Sequence, residues 1–310
     1  MDNINRREFI KNLTKVGGVF LGYSMMPGNL TPLKNILNKI DNTKTDLAVV
    51  RFSNPETITR KAIELLGGMN KFVSKNDIVV IKPNIGWDRT PEQAANTNPI
   101  VVETLIKMSF DAGAKKVKVF DRTCNHPRRC YINSGIEEIA KKAGAEVFNI
   151  ENKNFVKVNI KGTKLKNWPI YRDILECNTL INVPIAKHHS SAILTVSMKN
   201  WMGVIGGNRG MFHLDLHRYI ADLSTAIKPK LIVVDAVRIL VKNGPSGGNL
   251  EDVKTLNTVI AGTNPVATDS YTATLFGKKG EDIDYIKYAY QLELGEMDMN
   301  KLNITHANLK

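Results

Sequence analysis

The sequence predicts an α/β protein: a doubly wound, mostly parallel sheet with helices on both faces. Two observations carry this. Five short apolar runs, rich in β-branched residues, each end at a polar cluster, as strands buried on both faces do. Between them lie stretches with helical spacing, opened by Asn-Pro or Pro and closed by glycine. The runs are Asp77–Ile81, Val117–Phe120, Leu180–Ala186, Leu231–Val234 and Thr258–Ala261.

In order, Asp46–Phe52 reads as a first strand, and Ser53-Asn54-Pro55 caps a helix that runs to about Leu66 and ends at Gly67-Gly68. The strand Asp77–Ile81 enters a polar loop from Pro83 to Asn98. Pro99 opens a helix over Ile100–Ala112 that closes at Gly113. After the strand Val117–Phe120, a helix is expected from Tyr131 to Ala143, then a strand over Glu146–Ile150. Phe155–Ile160 alternates like a strand with one exposed face. Leu180–Ala186 leads into a loop rich in Lys and His. Leu214–Ile227 has helical spacing and is stopped by Lys228-Pro229. After the strand Leu231–Val234 comes a glycine-rich loop, Asn243–Asn249. Thr258–Ala261 is a strand followed by a helix over Val266–Phe276, and Ile283–Leu292 reads as helical. This alternation of strand and helix is what predicts a parallel sheet.

The 310 residues are 43% hydrophobic and 24% charged, an ordinary globular composition, and no linker of Pro, Gly and Ser divides them. We expect one α/β domain over residues 46–295, a tail over 296–310 and a targeting segment over 1–28. There, Asn5-Arg6-Arg7-Glu8-Phe9-Ile10-Lys11 resembles the twin-arginine export signal, with Val16–Met26 as its apolar region. That region is too short to span a bilayer as a helix, and no stretch of the body reaches spanning length. The resemblance implies recognition by the twin-arginine export machinery and a periplasmic or otherwise extracytoplasmic location. It leaves cleavage open, because no small-x-small site precedes Pro27.

The net charge is +13, and residues 1–28 account for only two of those charges. Such an excess favours anionic ligands. The lysines are scattered and carry no nucleic-acid motif, which argues against DNA or RNA as a partner and for a small anionic molecule. Three cysteines, an odd number and widely spaced, argue against a disulfide framework and rule out a self-contained four-cysteine cluster. Cys124 and Cys130 are spaced so that they could pair in an oxidising compartment.

Ligands of open α/β sheets bind beyond the carboxyl ends of the strands, so the polar stops mark one shared pocket. Lys82, Lys187 and Lys199 are candidates to hold an anion as point charges, with Asn84 and Asn200 to orient it. His188 is the candidate for proton transfer, and Asp121 and Asp235 for general base or substrate-orienting roles. Gly247 and Gly248 offer backbone N–H groups to an anion, as does the loop Gly206–Gly210. Asn264 and Asp269 lie at the start of the last long helix, where Asp269 also complements the helix dipole. His188, His189, His213 and His217 are arguable metal ligands, as are Cys124 and Cys130, although their spacing matches no standard zinc pattern.

The ordered motifs resemble the prokaryotic family called domain of unknown function 362. They are Lys82-Pro83-Asn84, Asn182-Val183-Pro184 with Lys187-His188, Ser197-Met198-Lys199-Asn200-Trp201-Met202-Gly203, Gly244-Pro245 with Gly247-Gly248, and Ala261–Asp269. Together they span roughly residues 46–295. The resemblance implies an α/β domain often found beside iron–sulfur modules, and it supplies no settled substrate. These 310 residues hold no ferredoxin-like cysteine run of the kind some members carry. Three functions stay open: an exported enzyme acting on a small anionic metabolite or cofactor, an anionic solute-binding protein, and a redox accessory protein with a metal or iron–sulfur cluster.

Overall fold

A computed structural model describes residues 45–310, so the twin-arginine-like segment lies outside the described residues. Strand β1 (Leu47–Arg51) leads to helix α1 (Pro55–Leu65), then β2 (Ile78–Pro83), α2 (Pro99–Asp111), β3 (Lys116–Val119), α3 (Pro127–Asn133), α4 (Ile136–Lys142) and β4 (Glu146–Val147). Strands β5 (Phe155–Asn159) and β6 (Asn167–Tyr171) form a separate antiparallel ribbon, followed by α5 (Arg172–Glu176). Next come β7 (Thr179–Val183), β8 (Ile185–His189), β9 (Ile193–Thr195), α6 (Leu216–Ser224), β10 (Leu231–Leu240), β11 (Val253–Gly262), α7 (Pro265–Thr274), α8 (Asp284–Gln291) and β12 (Ile304–Asn308).

One device starts three of the helices. Asn54, Asn98 and Asn264 each cap a helix whose next residue is proline, and their side chains accept from the N–H groups of Thr57, Ile100 and Ala267. The asparagine satisfies a free N–H of the first turn, and the proline gives up an N–H that had no partner there.

The main sheet runs β12-β1-β11-β10-β7-β2-β3-β4, with β8 also on β10 and β9 on β8. Most pairings are parallel, and β1–β11, β10–β11 and β8–β9 are antiparallel. Strand alternation sends neighbouring residues to opposite cores. Val79 and Ile81 face one core with Ile58, Ile63, Val102, Leu105 and Ile136, so α1, α2 and α4 cover that side. Val80, Ile232 and Ile260 face the other with Ile220, Ala273 and Ile286, so α6, α7 and α8 cover it. Helices thus lie on both faces of a mostly parallel sheet, the class read from the sequence.

Several boundaries differ from those read in the sequence, each for a local reason. The expected strand Leu180–Ala186 is two strands, because Pro184 has no N–H for the ladder. Lys187, His188 and His189 therefore sit within β8 and not in a loop. The strand from Leu231 does not stop at Asp235 but continues to Leu240 past an irregularity between Ala236 and Arg238. The helix expected over Tyr131–Ala143 is divided by Gly135, whose φ is 72°. The last residues are not simply a tail: β12 pairs in parallel with β1, Leu47 opposite Ile304. Among the described residues, no helix is long and apolar enough to cross a membrane.

Candidate functional site at the strand ends

Lys82 is the next-to-last residue of β2 and is fully buried. Its Nζ lies 2.8 Å from Oδ1 of Asp121, just beyond β3, and donates to Oδ1 of Asn200 at 2.8 Å. Asp121 is held in turn by the N–H groups of Ile85 (2.6 Å) and Arg122 (2.9 Å). Burial pulls the Lys82 amine below its ordinary pKa, and the Asp121 carboxylate opposes that pull.

Asn200 is the hub. Its Nδ2 donates to Asn182 Oδ1 at 2.8 Å and to the Lys82 carbonyl at 3.2 Å, while its Oδ1 also accepts from Asn84 Nδ2 at 3.1 Å. Asn84 Oδ1 accepts from Lys187 Nζ at 3.2 Å, and the same Nζ donates to the Ala95 carbonyl at 2.6 Å. One chain of polar contacts thus links Asp121, Lys82, Asn200, Asn84 and Lys187, across the ends of β2, β3, β7 and β8.

Lys199 adjoins this network from the short 3-10 turn Lys199–Gly203. It is 8% exposed, and among the described residues its amine makes no hydrogen bond or ion pair. Among the described residues Lys187 has no carboxylate partner. Burial draws Lys187 down to about 7, and the charge of Lys199 adds to that pull. Burial draws Lys199 down to about 8, with Cys124 opposing and Arg209 and Lys82 adding. Arg209 fixes the rim by donating to the carbonyls of Arg122 (3.0 Å) and Thr123 (2.8 Å). Arg122 donates to the Ile205 carbonyl at 2.8 Å. The arrangement gathers three buried lysines around one carboxylate, a cationic cluster of the kind that favours an anion.

Other residues singled out in the sequence lie around this network in supporting positions. Asp269, fully buried on α7, accepts from the N–H groups of Ser197 (2.9 Å) and Met198 (3.1 Å) and from the Ser197 hydroxyl, so it clamps the chain just before Lys199. Burial pushes Asp269 up to about 7 against those hydrogen bonds. Asp235 sits mid-strand and accepts from Asn98 N at 2.7 Å and Val237 N at 3.0 Å, fixing the start of α2 and the bend in β10. Asn264 spends its side chain on the α7 cap. The carbonyls of Gly247 and Gly248 accept from Arg89 (3.3 Å) and Gln93 (2.9 Å), and the Gly247 N–H goes to Asn243. These groups brace the loop after β2.

The histidines and cysteines do not assemble as a ligand set. His188 Nδ1 accepts from Gly244 N at 3.1 Å, and His217 binds Tyr285 N and the Ser191 carbonyl. His189 is buried and accepts from the N–H groups of Ser191 and Ala192, and burial with nearby cations pushes it down to about 2. His213 is exposed. Cys124 is exposed and Cys130 buried, and both are free thiols. Among the described residues, no three His, Cys, Asp or Glu side chains are placed to hold a metal ion. Sequence reasoning missed Asn182, Arg122 and Arg209 as parts of the network. Asn182 was visible only as one letter of the Asn-Val-Pro motif, and Arg209 only inside a glycine-rich loop.

Fold and site together define an α/β protein with a buried lysine–asparagine network at its strand ends. The chain belongs to the family described as domain of unknown function (DUF362), which matches residues 79–274. Among curated proteins it is similar to the "Thylakoid-associated protein sll1697" of a Synechocystis species, with 24% identity over 202 residues, 63% of this chain and 62% of that one. Among solved structures it is similar to the lactate racemase apoprotein from Thermoanaerobacterium thermosaccharolyticum, with 12% identity, a TM-score of 0.45 and coverage of 76% of this chain and 58% of that one. A Thermotoga maritima protein gives 10% identity and a TM-score of 0.41, covering 72% and 59%. The chain thus spans less than two thirds of the length of each of these proteins.

Proposed function

We propose that this protein is an enzyme acting on a small anionic metabolite or cofactor at the ends of β2, β3 and β8. The observation that carries this reading is the pair of lysines, Lys187 and Lys199, each more than nine-tenths buried and without a carboxylate partner among the described residues. A buried cation without a counter-ion is costly unless a ligand supplies one. Lys82 and Asp121 form the fixed ion pair behind the site, and Asn84 and Asn200 set the spacing. Lys187, held near neutral pKa, takes the proton-transfer role that the sequence suggested for His188, whose ring is occupied with the Gly244 loop. The twin-arginine-like pattern of Asn5–Lys11 supports export of the folded protein.

Calorimetric titration with a panel of small carboxylates and phosphates tests this. The wild-type protein is expected to bind at least one class, and Lys187→Met to weaken it at least tenfold while circular dichroism stays unchanged. Absence of binding to every anion, or equal binding by Lys187→Met, overturns the assignment. A ligand bound but recovered unaltered after prolonged incubation makes the protein a carrier.

A further inference from the structure

Serine and threonine hydroxyls buried on the helices of this protein turn back on their own backbone. Those of Thr104, Ser109 and Ser224 donate to the carbonyls of Ile100, Leu105 and Ile220. On α7, Thr268 and Thr272 do the same toward Asn264 and Thr268. Ser270 stands between them, is 2% exposed and departs from the pattern: among the described residues its hydroxyl has no partner. Buried hydroxyls are overwhelmingly partnered, so this one calls for an explanation. Its direction supplies one. A Cβ built on Gly280 would run into Ser270 Oγ and fall 2.9 Å from Cγ of Met297. The hydroxyl therefore points at the bare side of Gly280, with the Met297 side chain beside it.

Ser270, Gly280 and Met297 line one cavity of about 390 Å³, bounded by α7, by Tyr290 of α8 and by residues 296–300. Its charged walls are Glu281, Glu296, Asp298 and Lys279. Three carboxylates against one ammonium leave two negative charges in excess there, on a protein whose net charge is +13. Lys279 lies 3.4 Å from Glu281, and Glu296 spends Oε1 on the N–H groups of Met297 and Asp298. Asp298 accepts from Asn300 through Oδ1, and among the described residues its Oδ2 takes neither hydrogen bond nor ion pair.

Among the described residues no three acids converge as metal ligands, so this negative charge is spread along the cavity. A bare cation needs its oxygens gathered at one point. A chain with an ammonium group at each end does not, and each ammonium donates strongly to a carboxylate. The ring of Tyr290 and the side chains of Met297 and Met299 give such a chain a surface to pack on. We propose that this cavity binds an aliphatic polyamine, with its inner ammonium on the Ser270 hydroxyl and its outer one on Asp298. Met297, with three rotatable bonds, swings aside to admit the inner end. The cavity shares no residue with the strand-end network, so the proposal does not depend on what the lysines there bind.

The test is calorimetric titration of the whole protein with spermidine, with hexanediol and calcium as controls. One saturable spermidine site is expected, and neither control should fill it. Ser270→Ala removes a hydroxyl that has no partner, so it should unfold at the same urea concentration as wild type and bind spermidine about tenfold more weakly. Asp298→Asn keeps the oxygen that accepts from Asn300 and should weaken binding about threefold. Lys279→Ala removes the competing ammonium and should tighten binding, so one expected result is a gain that a poorly folded variant could not produce. Absence of saturable binding overturns the proposal. Equal binding by wild type and Ser270→Ala overturns it too, because the amine then sits elsewhere on the surface. Calcium bound as tightly as spermidine, or hexanediol bound as tightly, overturns the polyamine as the ligand.

Discussion

At the scale of single residues, Gly203 is the tightest constraint on the site. A Cβ built there would fall 1.7 Å from Oδ1 of Asp121 and 2.6 Å from Nζ of Lys82. Only glycine lets the 3-10 turn lie against that ion pair. Gly203→Ala is therefore expected to push the partners apart inside the protein and to cost about 3 kcal/mol, as breaking a buried pair does. Urea unfolding measures this, and a loss below about 0.5 kcal/mol would mean that the turn yields instead. Lys187→Met is expected to go the other way. It removes a buried amine that folding must dehydrate, so the midpoint of unfolding should hold or rise while anion affinity is lost. Lys82 and Asp121 were legible because each follows an apolar run at once, and Asn84 because it closes the Lys82-Pro83-Asn84 stop. Gly203 was legible only as a motif letter, since what it avoids comes from two distant strands.

At the scale of elements, α7 reaches the site through one side chain. Asp269 satisfies the backbone of Ser197 and Met198, and without it those N–H groups are buried and unpaired. Asp269→Ala is expected to cost about 3 kcal/mol and to speed amide exchange selectively over residues 197–203. Uniform exchange in wild type and variant would show that the turn is held by other contacts. The Asn-Pro starts, the glycine stops and the period of the apolar runs made α1, α2, α7, β2 and β3 readable. The division of β7 from β8 at Pro184 was written in the sequence but is easily read through, because Val183 and Ile185 on either side are both apolar and β-branched. Strand direction was not readable. The turn between β10 and β11 makes them antiparallel, and nothing in Thr258–Ala261 says which neighbour it will meet. Asp235 shows the same limit, since a polar residue inside a strand looks like the strand's end until its backbone partners are known.

At the scale of the whole molecule, charge and burial set a pH dependence with two signs. Lys187 and Lys199 have folded pKa values of about 7 and about 8, below the ordinary 10.5. The unfolded chain therefore binds more protons between about pH 8 and 10.5, and their contribution to stability falls as pH drops through that window and levels off below about 7. Asp235 and Asp269 stand at about 6 and about 7 against an ordinary 3.8, so theirs falls as pH rises from about 4 to 7. These four groups together predict a stability minimum near neutrality. Denaturant unfolding at pH 5.5, 7 and 9.5 measures it. In the double variant Lys187→Met, Lys199→Met the alkaline rise should flatten, and a persisting rise would assign it to other groups. A bound anion should lift the neutral minimum more than it lifts stability at pH 9.5. The excess of +13 is spread over many scattered lysines, and only the fold shows which of them are gathered and dehydrated.

The pairing of β1 with β11 has a consequence for how the chain is made. Strands β2, β3, β4 and β7 find one another once Val183 has been synthesised, with helices between them to cover one face. Leu47–Arg51 is translated earlier than all of these, yet its antiparallel neighbour ends at Gly262 and its parallel one at Asn308. Throughout most of translation, then, an apolar segment leaves the ribosome with both edges open, the state most prone to mispairing. A nascent chain arrested before Gly262 should hold a protected centre and a protease-sensitive first strand.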